Sequence, residues 1–394
     1  MKYRRFGRTE IEMPLVSVGG MRFQTSWERE DGVDPNSVVN LDRIMAHALE
    51  LGMNHFETAH GYGTSEEELG RVLRNYDRSR LILQSKGEPS GKVNGGACTI
   101  ETSLRALKVD YLDLFAVHGV NTDAMADQAL QKDGLVDKVL TLKERGVVRG
   151  LGFSSHGPPE TIFRLIRTGV FDYVNLWYSY INQSNWPAIV AARKQDMGVF
   201  IISPNDKGGQ LYRPPERLRT LTAPLSPMTF NDIFILRHPE IHTISCGASR
   251  PEDLDEHQQA VARLDTLRET VTVISARMEA ALADVHGSAW KENFAQGLPS
   301  WHETPGQVNV PIVLWLWNLV QAFDMVDYAR FRYNLLGKAS HWFPGNKVDA
   351  ALPQSEGLLR EALAGSPHCD RIIDILCQAH ALLDGPVGAR LSSD

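Results

Sequence analysis

The sequence predicts an α/β fold: a closed (β/α)8 TIM barrel followed by an additional, mostly α-helical C-terminal region. Three observations carry this. Short apolar runs alternate with helix-like stretches, which is the order of a parallel sheet, and eight such runs suit a closed barrel, with an open doubly wound sheet as the alternative. Helix-like stretches end in glycine just before a run at Gly52, Gly146, Gly169 and Gly198. A glycine there turns left-handed without a Cβ clash and releases the chain into the next strand. Finally, the 394 residues exceed a bare barrel of ~250 by ~140, and the excess lies at the C-terminus.

The runs fall at 15–18, 55–59, 81–85, 112–117, 148–153, 173–176, 199–203 and 242–246. They assign the barrel to residues 1–262 and the extension to 263–394. The extension opens on Leu264, Leu267, Val271, Ile274, Met278, Ala281 and Val285, an apolar stripe with helical spacing. The apolar run 310–320 reads as a buried helix, with Asn309 as its cap and Pro311 in its first turn. Trp290, Trp301, Trp315, Trp317 and Trp342 belong either to a packing subdomain or oligomer surface, or to a region near the active mouth. Residues 337–346, with two glycines and a proline, read as a loop and are expected to dock or to act as a lid.

A net charge of -7 with interspersed signs gives no basic stripe, which argues against nucleic-acid and anionic-membrane partners. No apolar run reaches the ~18 residues of a membrane-spanning helix. Cysteines at 98, 246, 369 and 377 form neither a disulfide framework nor a CxxC pair. The N-terminus lacks the apolar core of a signal peptide, so a reducing cytoplasm is expected.

The chemistry is concentrated at the ends of three successive runs. Glu57 closes the second and Lys86 follows the third directly, while His118 follows the fourth and Tyr62 comes five residues after Glu57. In a parallel barrel every strand ends at one face, so these side chains should converge. An ammonium beside a phenol lowers the phenol's pKa, and a carboxylate keeps the ammonium charged and in place. That set suits delivery of a proton to a carbonyl oxygen. A zinc site from Glu57, His60 and His118 has the ligand types without a spacing motif, and no metal is expected.

These residues carry a resemblance. Glu-Thr-Ala-His-Gly-Tyr-Gly at 57–63 resembles the Asp-x-Ala-x-x-Tyr-Gly pattern of the aldo-keto reductases, and Lys86 and His118 match that family's lysine and histidine. The similarity covers roughly residues 1–262. Gly19, Gly20 and Met21 resemble the family's first loop, and Ser154 and Ser155 lie in what resembles its carboxamide-binding loop. Asn175 stands for a glutamine, and Tyr178 resembles the residue that stacks on the nicotinamide. Gly247, Ser249 and Arg250 resemble the phosphate-binding turn. Glu57 replaces an aspartate, Ser155 an asparagine, and Asp253 and His257 replace residues near the adenine.

The resemblance implies reduction of a small-molecule aldehyde or ketone by NADP(H). Residues 249–252, Ser-Arg-Pro-Glu, have the form of a capping box opening a helix, where N–H groups and the helix dipole attract phosphate. Arg250 would pair with a 2′-phosphate, while Ser203 and Lys207 would lie by the pyrophosphate. The tail resembles, more distantly, an extension that binds iron–sulfur clusters in a bacterial branch of the family. Only Cys369 and Cys377 fall in the tail and a cluster takes four thiolates, so no cluster is expected. Two function classes follow: a working carbonyl reductase, and a nicotinamide-binding sensor or partner protein with little turnover. Glu57 separates them, because its extra methylene moves the carboxylate by ~1.5 Å and misplacement on that scale costs ~100-fold in rate.

Overall fold

The computed structural model describes residues 1–29, 32–92, 99–206, 209–348 and 352–387. Its centre is a closed parallel barrel. The strands run in chain order: β3 (Val16–Gly19), β4 (His55–Glu57), β5 (Ile82–Gly87), β6 (Leu112–Val117), β7 (Val148–Ser155), β8 (Tyr173–Trp177), β9 (Gly198–Ile202) and β10 (Thr243–Gly247), with β10 returning to β3. Each coincides with an expected run to within two residues at either end. In register, Glu57 lies beside Gly19 and Gln84, and Lys86 lies beside Ala116. Beyond β4 the amides of Thr58 and His60 still donate to the carbonyls of Gln84 (2.8 Å) and Lys86 (2.9 Å), which keeps the chain alongside β5 up to the Tyr62 loop.

A hairpin of β1 (Tyr3–Arg5) and β2 (Glu12–Pro14) was not expected, because its strands are three residues long and β1 is charged. It closes the end of the barrel where the strands begin. Phe6, fully buried, meets the rings of Tyr173 at 5.5 Å and His242 at 5.6 Å, and it packs in one cluster with Met13, Ile82, Leu114 and Phe200. Gly198 was expected to be a left-handed helix stop. The left-handed residue there is Asp196 (φ 53°), and Gly198 instead makes room for Phe6, whose ring would lie 2.7 Å from an added Cβ. Gly52, Gly146 and Gly169 are left-handed as expected.

The first ten helices are α1 (Pro35–Glu50), α2 (Ser65–Val72), α3 (Thr99–Leu107), α4 (Asp123–Leu130), α5 (Leu135–Glu144), α6 (Pro159–Arg167), α7 (Trp186–Lys194), α8 (Glu216–Thr222), α9 (Pro227–Leu236) and α10 (Asp255–Ala262). The chain divides into two compact units. One holds residues 1–206 and 231–268; the other holds the segment that ends at Phe230 and the segment that begins at Glu269.

The second unit is helical: α8, α11 (Arg268–His286), α12 (Ser288–Asn293), α13 (Val310–Phe323), α14 (Val326–Tyr333), α15 (Leu352–Ala362) and α16 (Cys369–Leu383). The stripe of α11 buries Val271, Ile274, Met278 and Ala281, but Val285 is exposed, so the buried face stops a turn short of the expectation. Helix α13 lies among α8, α14 and α16 with Val313, Leu314, Leu316 and Leu319 buried, and the Asn309 side chain accepts from Ile312 N at 3.2 Å as its cap. Trp290 is buried, donates to Asn318 Oδ1 at 2.9 Å and carries the Arg371 guanidinium 4.2 Å from its ring centre, so this tryptophan serves a core. The segment 337–346 folds on itself through Gly337 N to Gly345 O at 2.9 Å. No helix among the described residues is long and apolar enough to cross a membrane.

Candidate active site

Glu57, Lys86, His118 and Tyr62 converge at the ends of β4, β5 and β6. Lys86 is fully buried; its ammonium donates to Glu57 Oε2 and, at 2.8 Å, to the carbonyl of Thr58. The other Glu57 oxygen accepts from Ser245 Oγ on β10 at 2.9 Å. The same ammonium lies 4.8 Å from the centre of the Tyr62 ring, and the His118 ring meets Tyr62 edge to face at 5.4 Å. Tyr62 and His118 keep 8% and 7% exposure, against 4% for Glu57 and 1% for Lys86.

The longer side chain at position 57 is built into this arrangement. An added Cβ at Gly19 would lie 3.2 Å from Glu57 Oε1 and 2.6 Å from Ser245 Oγ, so bare backbone in β3 and a hydroxyl in β10 together accommodate the glutamate. Ser245 carried no signal in the sequence, being one hydroxyl inside an apolar run.

The Tyr62 loop is held from outside. Gly63 is left-handed (φ 52°) and passes so close to the neighbouring loop that an added Cβ would fall 2.0 Å from Ser26 O. Two buried carboxylates of α2 fix the rest. Glu66 accepts from Arg29 Nη2 (2.6 Å) and Ser85 Oγ (2.6 Å), with His60 Nδ1 at 3.2 Å. It therefore ties together the residue before Lys86 and the residue two before Tyr62. Burial would raise its pKa, but hydrogen bonds from His60, Ser103 and Ser85 and the charge of Arg29 hold it below the usual range. Glu68 accepts from Thr25 N, Thr25 Oγ1 and Thr64 Oγ1. The run Glu66-Glu67-Glu68 looks in sequence like an exposed acidic first turn, and only its tertiary partners reveal its role.

The expected cofactor residues separate into three groups. In the first, Gly20 is buried, with Glu57 O 2.5 Å from where a Cβ would stand, Met21 is exposed, and Ser203 follows β9 in a left-handed conformation (φ 59°). Asn175 on β8 is fully buried, and among the described residues neither polar atom of its amide has a hydrogen-bond partner. In the second group the side chains are engaged within the protein. Ser154 Oγ accepts from Gly119 N at 2.8 Å, and Ser155 Oγ donates to Val120 O at 2.7 Å. Lys207 lies outside the described residues.

The third group has neighbours that the sequence reading did not weigh. Tyr178 is 2% exposed, with Phe234 stacked at 5.8 Å and Trp186 tilted against it at 5.7 Å. His257 is fully buried, with Nδ1 2.5 Å from Asp232 Oδ2. Burial opposes its charge, but Asp232 outweighs burial and holds the imidazole well above its ordinary pKa. It therefore forms an internal pair with Asp232. The expected capping box is also displaced. A 3-10 turn, Pro251–Leu254, precedes α10, so the cap is Arg250, and the carboxylate that reaches back is that of Asp253 instead of Glu252. Asp253 accepts from Ser249 N (2.8 Å) and Arg250 N (3.3 Å) and pairs with Arg250 Nε (3.1 Å). Gly247 and Ser249 instead face Arg22, whose Nη1 donates to Ser249 Oγ at 3.1 Å. Arg22 is thus a second guanidinium at this turn that the sequence reading missed, since 227 residues separate it from Ser249.

Comparison with known proteins agrees with this geometry. Residues 15–210 match the family model described as Aldo/keto reductase family. An uncharacterized oxidoreductase, YqkF of Bacillus subtilis, is 24% identical over 326 residues, covering 73% of this chain and 100% of its own. The L-glyceraldehyde 3-phosphate reductase of Escherichia coli O157:H7 is 22% identical over 347 residues, covering 74% of this chain and 95% of its own. Among solved structures, the holo form of aldo-keto reductase AKR11C1 from Bacillus halodurans aligns with a TM-score of 0.57 at 22% identity, covering 70% of this chain and 96% of that one. An aldo-keto reductase from Klebsiella pneumoniae in complex with NADPH aligns at 0.52 and 19%, covering 68% and 94%. At such identities the structural likeness shows the fold.

Proposed function

Residues 15–210 belong to the aldo-keto reductase family, and from that premise we propose that this chain reduces an aldehyde or ketone with NADPH, Tyr62 giving the proton. The observation that carries the proposal is the buried Lys86 ammonium, held between Glu57 and the Thr58 carbonyl directly beneath the Tyr62 ring. A fixed positive charge in a low-dielectric setting favours the phenolate left behind when Tyr62 donates its proton to the carbonyl oxygen. Glu57 keeps that charge in place, and Ser245 keeps Glu57 in place. His118, edge-on to Tyr62, orients the carbonyl from the other side.

The residues fit a nicotinamide cofactor. Asn175 has a buried donor and a buried acceptor with no partner among the described residues, the complement of a carboxamide, and Arg22 and Arg250 flank one turn as a 2′-phosphate requires. Reduced nicotinamide, when bound, supplies hydride to the carbonyl carbon. The Klebsiella relative's complex with NADPH supports the same cofactor here.

The sensor alternative rested on a misplaced Glu57, and the pairing of both its oxygens favours the enzyme. The test is NADPH consumption by the full chain against a panel of aldehydes and ketones. Steady turnover of at least one is expected. Tight NADPH binding with no carbonyl reduced would overturn the proposal in favour of the sensor.

A further inference from the structure

Glu88 stands where β5 stops. Its carbonyl accepts from Gly91 N at 2.8 Å, which turns the chain at the end of the barrel where Tyr62 and His118 open. Glu88 Oε1 lies 4.0 Å from His118 Nδ1, and its side chain is 46% exposed. An added Cβ on Gly61, the neighbour of Tyr62, would lie 3.6 Å from both of those atoms. Glu88 therefore shares the mouth with the loop after β4 and the end of β6.

Its charge is less compensated than that of the carboxylates around it. Glu57 is answered by Lys86 and Ser245, Glu66 by Arg29 and Ser85, and Glu67 by Arg29. Among the described residues no lysine or arginine pairs with Glu88, and the basic groups facing it are the imidazoles of His118 and His60. Burial pushes its carboxyl up and the charge of His60 opposes that.

We propose that Glu88 selects substrate by charge: the mouth takes neutral or cationic carbonyl compounds and disfavours carboxylated or phosphorylated ones. The inference rests on the reductase reading, because a carbonyl oxygen that reaches Tyr62 and His118 brings its substituents past Glu88. A negative group held ~7 Å from that carboxylate, at an effective dielectric of ~20 to 40, is disfavoured ~7- to 50-fold. Selection by repulsion of this kind costs the accepted substrates little.

Three aldehydes on one ring test it: benzaldehyde, 4-carboxybenzaldehyde and 4-(trimethylammonio)benzaldehyde. Their kcat/KM values are compared at low salt and pH 8 for the wild type, Glu88→Gln and Glu88→Asp. In the wild type the carboxylated aldehyde should fall ~10-fold or more below benzaldehyde and the cationic one should not. Glu88→Gln should narrow that gap ~10-fold, Glu88→Asp should largely keep it, and high salt should shrink it. Dissociation constants of the same aldehydes for the complex with NADP+ should follow the same order without turnover. A Glu88→Gln effect equal for all three aldehydes in both measurements would overturn the inference while leaving the reductase reading intact. A wild type that orders the three by charge in binding yet reduces none would support Glu88 and sink the reductase reading.

Discussion

Replacing Lys86 with methionine is the perturbation whose cost the structure determines most directly. The change keeps the volume and removes a buried ammonium, so Glu57, 4% exposed, retains only the Ser245 hydroxyl as donor among the described residues. An ion pair at hydrogen-bonding distance is worth ~5 kcal/mol at an effective dielectric of ~20, before the desolvation of its partners is subtracted. Breaking one side of a buried pair costs ~3–5 kcal/mol, because the other charge is left uncompensated. Lys86→Met and Glu57→Gln should each destabilise the barrel by about that much, and the double variant by less than their sum, with a coupling of ~2–3 kcal/mol. Urea unfolding of the four proteins of this cycle, followed by circular dichroism, measures the coupling. Strict additivity, or a Lys86→Met cost below ~1 kcal/mol, would refute the pair as the structural centre of the site. Turnover gives an independent reading: Lys86→Met should lose ~100-fold or more, since it removes the charge that stabilises the phenolate.

Three further outcomes follow from the geometry. Glu57→Asp should change turnover by tenfold or less, because Gly19 and Ser245 are fitted to the longer side chain; a gain of ~100-fold on a good carbonyl would mean that the natural site is detuned. Arg250→Ala should weaken NADPH binding ~10-fold, the low end for a charge-assisted contact because Arg250 must leave Asp253 to bind, and NADH binding far less; tryptophan quenching reads both, and equal losses would show that Arg250 does not read the 2′-phosphate. His55 is fully buried beside Ser17 Oγ at 2.7 Å, and burial, helped by the charge of Lys86, pushes its pKa down to about 3. The unfolded chain then takes up a proton near its ordinary ~6.5 that the folded one refuses, so stability falls as pH falls from ~6.5 towards 3, and His55→Asn should remove ~1.4 kcal/mol per pH unit of that dependence in urea titrations at pH 6, 5 and 4.

The barrel was legible because every strand is an apolar run bounded by polar or glycine residues, and three of the four glycine stops took the conformation that made them visible. Gly198 misled because a glycine needed for a close approach, here by Phe6, looks the same in sequence as one needed for a turn. The candidate catalytic set was legible because a polar residue ending an apolar run is anomalous, and three such anomalies in successive runs share one edge in a parallel sheet. Ser245, Arg22 and Arg29 were not legible, because a serine inside a strand and an arginine in a loop have no local signature and acquire meaning only through partners that are distant in sequence. Tyr178 and His257 stand at positions that resemble family cofactor residues, and their neighbours Phe234 and Asp232 were likewise not legible, because a position-by-position resemblance does not weigh them. The excursion that ends at Phe230 and joins the helical unit was invisible for the same reason, since packing between helices far apart in sequence sets it.

The central claim is that Tyr62, poised over the Lys86 ammonium, supplies the proton for carbonyl reduction. Single-turnover oxidation of bound NADPH by a good aldehyde substrate, in wild type and Tyr62→Phe, tests it most directly. Removing one hydroxyl leaves the ring, the cation beneath it and the cofactor residues in place, so NADPH affinity should change by less than threefold while the rate of the chemical step falls ~100-fold or more. A Tyr62→Phe rate within a few-fold of wild type would contradict the account.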